Sequence, residues 1–299
     1  MDQLHLIQVF LAVVDAQGLA GAARKLAVSP PAVTRAINEL EAQLGVRLLT
    51  RTTRVVRVTE AGARYADDCR RVLADLEEAN RQVTGLHSTP RGRLFVTAPQ
   101  LFGALHVAPV MARYLEQYPE VNAQAWFLDR VVNLVEEGVD VAVRIGPLPD
   151  SSLQAICVGQ VRRVLCAAPA YLDKASPLQH PNALHAHTLI SSTAIHAGQE
   201  WRFDEAGQPL AVRVAPRLVT NTNDAALAAT LTGLGITRLM SYQCADALRT
   251  GHLLRLLPDF EPPPVPVHLV HREGRHPSRK VRAFLDLAIA CLRDLDALR

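Results

Sequence analysis

No stretch of this chain approaches the ~20 consecutive apolar residues that cross a bilayer, and the apolar start "LHLIQVFLAVV" follows Asp2 with no Lys or Arg before it. Neither a membrane span nor a signal peptide is expected. The five cysteines, Cys69, Cys157, Cys166, Cys244 and Cys291, are odd in number, widely spaced and free of any CxxC pair, which excludes a disulfide framework and points to a reduced, cytoplasmic protein. Catalytic signatures are missing too: there is no GxSxG, GxGxxG or P-loop. "HAH" (His185, His187) and "HLVH" (His268, His271) have no further Cys or carboxylate at metal-ligand spacing. A strong charge of one sign is also absent, since the net charge is only +3 and the whole-molecule balance cannot by itself argue for nucleic acid.

What is present suits a globular protein. The 299 residues are 49% hydrophobic and 20% charged, enough for about two domains. One segment departs from the overall balance. Between Ala22 and Thr59 stand Arg24, Lys25, Arg35, Arg47, Arg51, Arg54 and Arg57 against Glu39 and Glu41, a local charge of +5.

Within that segment, Val33, Ile37, Leu40 and Leu44 recur at steps of 4, 3 and 4 and predict one buried stripe of a helix. Pro31, Thr34, Arg35 and Asn38 then lie on its exposed side. Pro30 and Pro31 suit a first helical turn, where a missing N–H costs nothing, and Ser29 is the expected N-cap. Upstream, Ala22, Ala23 and Leu26 predict a short helix with a thin face, and the "AVS" link leaves room only for a sharp turn. Two helices joined so tightly make a helix-turn-helix, whose second helix would bring Thr34, Arg35 and Asn38 to base edges and phosphates in a major groove. An ordinary helical hairpin has the same pattern over this stretch. The following "RLLTRTTRVVRVT" tips the balance, because it predicts a basic β-hairpin placed to touch phosphates.

With Phe10, Ala22, Ala23, Leu26, "SPPAV" at 29–33, Ile37, Leu40, Glu41, Leu44, Gly45, Leu48, Arg51, Arg54, Val58, Thr59, Glu60, Ala61 and Gly62 in this order, residues 1–60 resemble the winged helix-turn-helix of LysR-type transcriptional regulators. The chain departs from the usual pattern at Leu19, Ala20, Thr34 and Leu49. The DNA-contacting set expected from the residues and the resemblance is Ser29, Pro30, Pro31, Thr34, Arg35, Asn38, Arg51 and Arg54.

Thr59 is the expected N-cap of a long helix. From there Tyr65, Cys69, Val72, Leu76, Ala79, Val83 and Leu86 alternate at steps of 4 and 3, a heptad seam that predicts pairing between two chains. "STPRG" at 88–92 reads as a hinge. Beyond it, β and α patterns alternate twice, predicting a two-lobed α/β fold with mostly parallel sheets. "EEGVDVAVRIG", "AAPAYL" and "GLGITRL" extend the resemblance to the family's effector-binding region, which looks like a type 2 periplasmic binding protein. The expected organisation is a DNA-binding domain at 1–59, a linker and dimerisation helix at 60–87, the hinge, and an effector domain at 93–299. Its first lobe is 93–161 with 266–299, and its second is 162–265.

Ligands of open α/β sheets sit beyond the carboxyl ends of strands. That rule, with the matching family positions, selects Gln100, Leu101, Asp129, Arg144, Ser191, Ser192, Thr220 and Asn221 as effector-binding residues. Asn223 reads as a helix N-cap instead, while Phe102 and Trp201 are aromatic neighbours better suited to core packing. The resemblance implies a non-enzymatic regulator without metal or cofactor, controlled by a small-molecule co-inducer. Its implied partners are a double-stranded DNA operator, RNA polymerase and further copies of itself, as a homodimer and then a homotetramer, with no membrane. An enzyme lacks a motif here. A solute-binding protein would leave residues 1–60 unexplained, and a non-specific DNA-compacting protein sits poorly with the modest charge.

Overall fold

In the computed structural model, which describes residues 2–51, 56–83, 89–149, 153–193, 200–272, 274 and 277–298, the chain forms two units, Met1–Ser88 and Thr89–Arg299. Among the described residues, no single helix is long and apolar enough to cross a membrane.

Unit 1 begins with α1 (Gln3–Asp15), capped by the Asp2 carboxylate, which accepts from Leu4 N at 3.4 Å. α2 (Leu19–Lys25) starts at Gly18 with no side-chain cap, in keeping with Leu19 and Ala20 at its start, and buries Ala22 and Ala23. Ala27 takes the left-handed conformation (φ 53°) that makes the sharp turn, at a cost of about 1–2 kcal/mol for a residue with a Cβ. α3 (Pro30–Leu44) follows with its prolines in the first turn. Ser29 stands at the N-cap position, but its side chain makes no capping bond, contrary to expectation. The prolines explain this: the first two helical residues have no N–H, and the third, Ala32, already donates to Ser29 O at 2.9 Å.

Val33, Ile37 and Leu40 are fully buried as the stripe predicts, whereas Leu44 is 37% exposed. Gly45, left-handed at φ 67°, turns the chain away there, and Leu48 and Leu49 enter the core instead. β1 (Leu49–Arg51) pairs antiparallel with β2 (Val56–Val58). The Glu41 carboxylate ties this hairpin to α3 by accepting from Leu48 N (2.8 Å) and Leu49 N (2.9 Å). Glu41→Ala would leave both partly buried donors unpaired; a loss of about 1–3 kcal/mol is expected in chemical denaturation of unit 1, and a loss below about 0.5 would contradict this role.

Thr59 caps α4 (Glu60–Val83) as expected, with Gly62 N donating to its hydroxyl at 2.9 Å while that hydroxyl donates to Arg47 O at 2.9 Å. Gly62 is held by close approach, because a Cβ there would lie 2.1 Å from Leu48 O. Asp15 joins three helices by accepting from Arg70 (2.8 Å) and Lys25 (3.2 Å); the Arg70 bond above all holds its carboxyl below the usual range. The heptad seam divides. Tyr65 and Cys69 pack on this unit's own core, beside Phe10, whereas Val72 is 57% and Leu76 41% exposed. The side chains of Ala79, Val83 and Leu86 lie outside the described residues.

Unit 2 opens with β3 (Gly92–Ala98), α5 (Gln100–Phe102), a π-helical turn (Gly103–Val107), α6 (Ala108–Gln117), β4 (Val121–Phe127), β5 (Val141–Ile145) and β6 (Gln154–Val161). After Arg162 come β7 (Arg163–Ala167), α7 (Pro169–Leu172), β8 (Leu189–Ser192), β9 (Glu200–Glu205), β10 (Gln208–Arg213), β11 (Leu218–Thr220), α8 (Asn223–Leu231), β12 (Ile236–Met240), α9 (Ser241–Arg249) and β13 (Leu254–Leu256). The chain then returns through β14 (Val265–His271) to α10 (Arg279–Arg293).

One five-stranded sheet has the order β4-β3-β5-β14-β6, the other β11-β8-β12-β7-β13. Gly92, placed in the hinge by sequence, begins β3, and Val265, placed in the second lobe, begins β14 of the first sheet. The sheets are mixed rather than mostly parallel. β3 runs parallel to β4 and β5, but β14 is antiparallel to β5 and β6; β8 runs parallel to β11 and β12, but β7 is antiparallel to β12 and β13. The antiparallel strands border the two crossings, where the chain enters each sheet from the opposite end. At one crossing Ser241 N donates to Arg162 O (2.8 Å) and Arg162 N to Ser241 Oγ (3.1 Å). α6 and α10 cover the first sheet, with Tyr114 and Phe284 fully buried and Tyr114 Oη donating to Lys280 O at 2.7 Å.

Candidate nucleic-acid interface and ligand cleft

The stripe that buries Val33, Ile37 and Leu40 turns the opposite side of α3 outward, so Ser29, Pro30, Pro31, Arg35 and Asn38 are all exposed. Thr34 is half-buried and its hydroxyl donates back to Pro30 O at 3.1 Å, which leaves the oxygen free only as an acceptor. Arg35 and Asn38 border a shallow concavity of about 530 Å³ together with His5 and Val28. His5 had no signal in the sequence, since its neighbours reveal only that α1 is apolar. Arg51 ends β1 opposite Val56, while Arg54 lies outside the described residues. The exposed Arg57 on β2 adds a cation to the hairpin.

In unit 2 the predicted effector residues fall into three groups. Gln100 and Leu101 begin α5 at the carboxyl end of β3, and Asp129 follows β4 and accepts from Gln100 N at 2.9 Å. Asp129 therefore anchors this helix start. Burial pushes its carboxyl up, the Gln100 N–H opposes that, and the negative charge of Asp224 at the start of α8 adds to the rise. Tyr242 on α9 is likewise pushed up by burial, with a further rise from Asp129. It packs edge-on to Phe102 with ring centroids 5.2 Å apart. The Phe102–Tyr242 contact brings α9 against α5 at the carboxyl end of β3.

Ser191, Ser192, Thr220 and Asn221 form the second group. Parallel pairing sets Thr220 beside Ser192, and the Thr220 hydroxyl donates to Thr222 O at 2.8 Å, with Ser191 O at 3.4 Å. Ser192 is buried and Asn221 exposed. Arg144 stands apart. Its guanidinium donates to Val132 O, burial lowers its pKa, and it lines a pocket of about 470 Å³ with Gly146, Leu134, Leu148, Leu153 and Val270. Phe102 and Trp201 are both core residues. Asn223 is not the N-cap expected from sequence: Thr222 holds that position, and Asn223 is buried with an unpartnered Oδ1.

Residues 4–63 match the family profile described as "Bacterial regulatory helix-turn-helix protein, lysR family", and residues 87–292 match "LysR substrate binding domain". An uncharacterized HTH-type transcriptional regulator of Haemophilus influenzae is 32% identical over 94% of this chain and 98% of its own. The full-length structure of the Vibrio cholerae virulence activator AphB is 27% identical and covers 96% of this chain and 99% of its own, with a TM-score of 0.62. The LysR-type regulator CrgA of Neisseria meningitidis is 29% identical over 96% of this chain and 98% of its own, also at 0.62.

Proposed function

We propose that this protein, which belongs to the LysR family of DNA-binding transcriptional regulators, reads its operator with α3 and the basic hairpin and is switched by a small molecule held between the lobes of unit 2. The DNA-reading set is Ser29, Pro30, Pro31, Thr34, Arg35 and Asn38 with Arg51 and Arg54; the effector set is Gln100, Leu101, Asp129, Arg144, Ser191, Ser192, Thr220 and Asn221. The observation that carries the effector reading is the contact between the lobes beside Asp129, where Phe102 of the first packs edge-on to Tyr242 of the second with ring centroids 5.2 Å apart. A ligand bridging these elements gains contacts only when they are close, and an effector shifts an equilibrium only by binding the two arrangements unequally. Closure is transmitted through the hinge to the DNA-binding unit, with no catalytic step. The reading places the protein in the cytoplasm with its operator.

A thermal-shift screen of small metabolites tests this, since a ligand bound only to the folded state raises its melting temperature. Hits are then added to operator-binding assays. A stabilising metabolite that also changes operator affinity is expected; stabilising metabolites that all leave operator affinity unchanged would contradict effector control.

The same reading takes α4 as a dimerisation helix, with tetramer assembly and contact with RNA polymerase as its extensions. Val72 and Leu76 supply the apolar face left uncovered within unit 1. Two paired chains present two reading helices to a two-fold symmetric operator. Leu76→Lys is expected to sediment as a smaller species than the native oligomer; unchanged sedimentation would refute the seam.

A further inference from the structure

β7 and β12 run antiparallel in the middle of the second sheet, with Met240 opposite Arg163 and Arg238 opposite Leu165. Cross-strand partners share a face and alternate residues return to it, so Arg163, Leu165, Arg238 and Met240 all point to one side. On that side Leu165 and Ile236 bury against Trp201 of β9. β8 runs parallel to β12 with Ile190 opposite Thr237, which brings Ser191 onto the face that carries Arg238.

Two half-buried guanidiniums thus share one face of the sheet. Burial above all, with the Arg163 charge adding to it, pushes Arg238 down to about 10. Burial and the charge of Arg202 likewise lower Arg163. Arg238 lies 5.3 Å from the Trp201 ring and donates one bond to Arg202 O at 3.1 Å, which places its stem and one N–H. That packing does not account for Arg163, whose Nε is buried without a partner. Among the described residues, neither arginine has a carboxylate in an ion pair, and the Ser191 hydroxyl has no hydrogen-bond partner. Buried charges are ordinarily paired, and two of like sign without a counter-charge are costly to hold.

We propose that Arg163 and Arg238, with the Ser191 hydroxyl, form an oxyanion subsite that takes the carboxylate or phosphate group of a small ligand. The guanidinium forks supply donors that match either group, and the ligand's negative charge supplies the missing counter-charge. The subsite gives the effector a chemical class, and in that respect it rests on the reading of unit 2 as effector-binding. It sits at the carboxyl ends of the parallel strands β8 and β12, where the turn after Ser192 begins.

The test uses the full chain, melted in inorganic phosphate or in succinate, with sodium chloride at matched ionic strength as the control. At a hundredfold excess over Kd, a saturable rise of about 5–10 °C is expected in one of the two anions. Arg163→Gln is expected to lose that rise while melting at the same temperature or higher without the anion, because a like-charge contact is relieved. Arg163→Lys keeps the charge and should recover part of the rise. The Gln variant also separates the subsite from general salt stabilisation, which it would leave intact. No rise above chloride in either anion, or a full rise retained in Arg163→Gln, overturns the subsite. Operator affinity measured in the same buffers tests the separate claim: a specific rise with unaltered operator affinity supports the subsite and contradicts effector control. Absence of any rise removes the subsite and leaves control by an uncharged ligand standing.

Discussion

Ile37→Ala is expected to melt unit 1 early, with operator binding lost at the temperature where it melts, while unit 2 continues to melt as before. Ile37 is fully buried between Val33 and Leu40 in a cluster that includes Leu6, Phe10, Ala22 and Leu49. Truncating such a side chain removes its transfer free energy and leaves a cavity, a combined loss of about 2–5 kcal/mol. Small domains hold only about 5–15 kcal/mol in all, and the first unit has a correspondingly small core. The outcome is a melt with an early first transition and a preserved second one. A variant in which both transitions shift together would show that the two units do not unfold separately.

Arg35→Ala acts at the same helix without touching its core. Arg35 is exposed, so the thermal melt should be unchanged, whereas specific operator binding weakens by about 1–3 kcal/mol if its guanidinium reads a base. If it contacts only phosphate, affinity instead falls about equally for operator and unrelated DNA, and the salt dependence becomes shallower. An unchanged footprint and affinity would remove Arg35 from the reading surface.

The start of α3 was legible because proline constrains the chain in a way that does not depend on tertiary context. So was most of its buried stripe, which follows from helical period alone. Leu44 escaped the pattern because Gly45 redirects the chain, and Leu48 and Leu49 take over its place in the core. The capping role of Ser29 failed for a local reason, the missing N–H groups of the prolines beyond it. The seam on α4 shows a different limit: a heptad spacing is the same whether it packs on its own chain or on another, and Tyr65 and Cys69 do the former.

In unit 2, alternation of β and α patterns revealed the strands but not their directions, which depend on how the chain crosses between sheets. The strand-end rule selects Gln100, Asp129, Ser191 and Thr220, and the structure links Gln100 to Asp129 and Thr220 to Ser191 by hydrogen bonds. It could not separate Arg144, whose pocket is formed largely by the 131–134 and 145–149 segments of the first lobe. Asn223 looked like a cap from its neighbours, and only burial exposed its unpartnered oxygen. Arg163 and Arg238 were invisible as a pair, since no local period links two strands so far apart in sequence; register alone brings them to one face.

The central claim is that α3 and its hairpin read DNA sequence. It is tested most directly by titrating the full-length protein with its operator and with a scrambled duplex of equal length over a range of salt concentrations. Non-specific binding falls steeply with salt through counterion release, while base contacts persist. The operator is therefore expected to bind about 10³-fold tighter or more at physiological salt, with a gap that survives as salt rises. Equal affinity for both duplexes at every salt concentration would contradict the account.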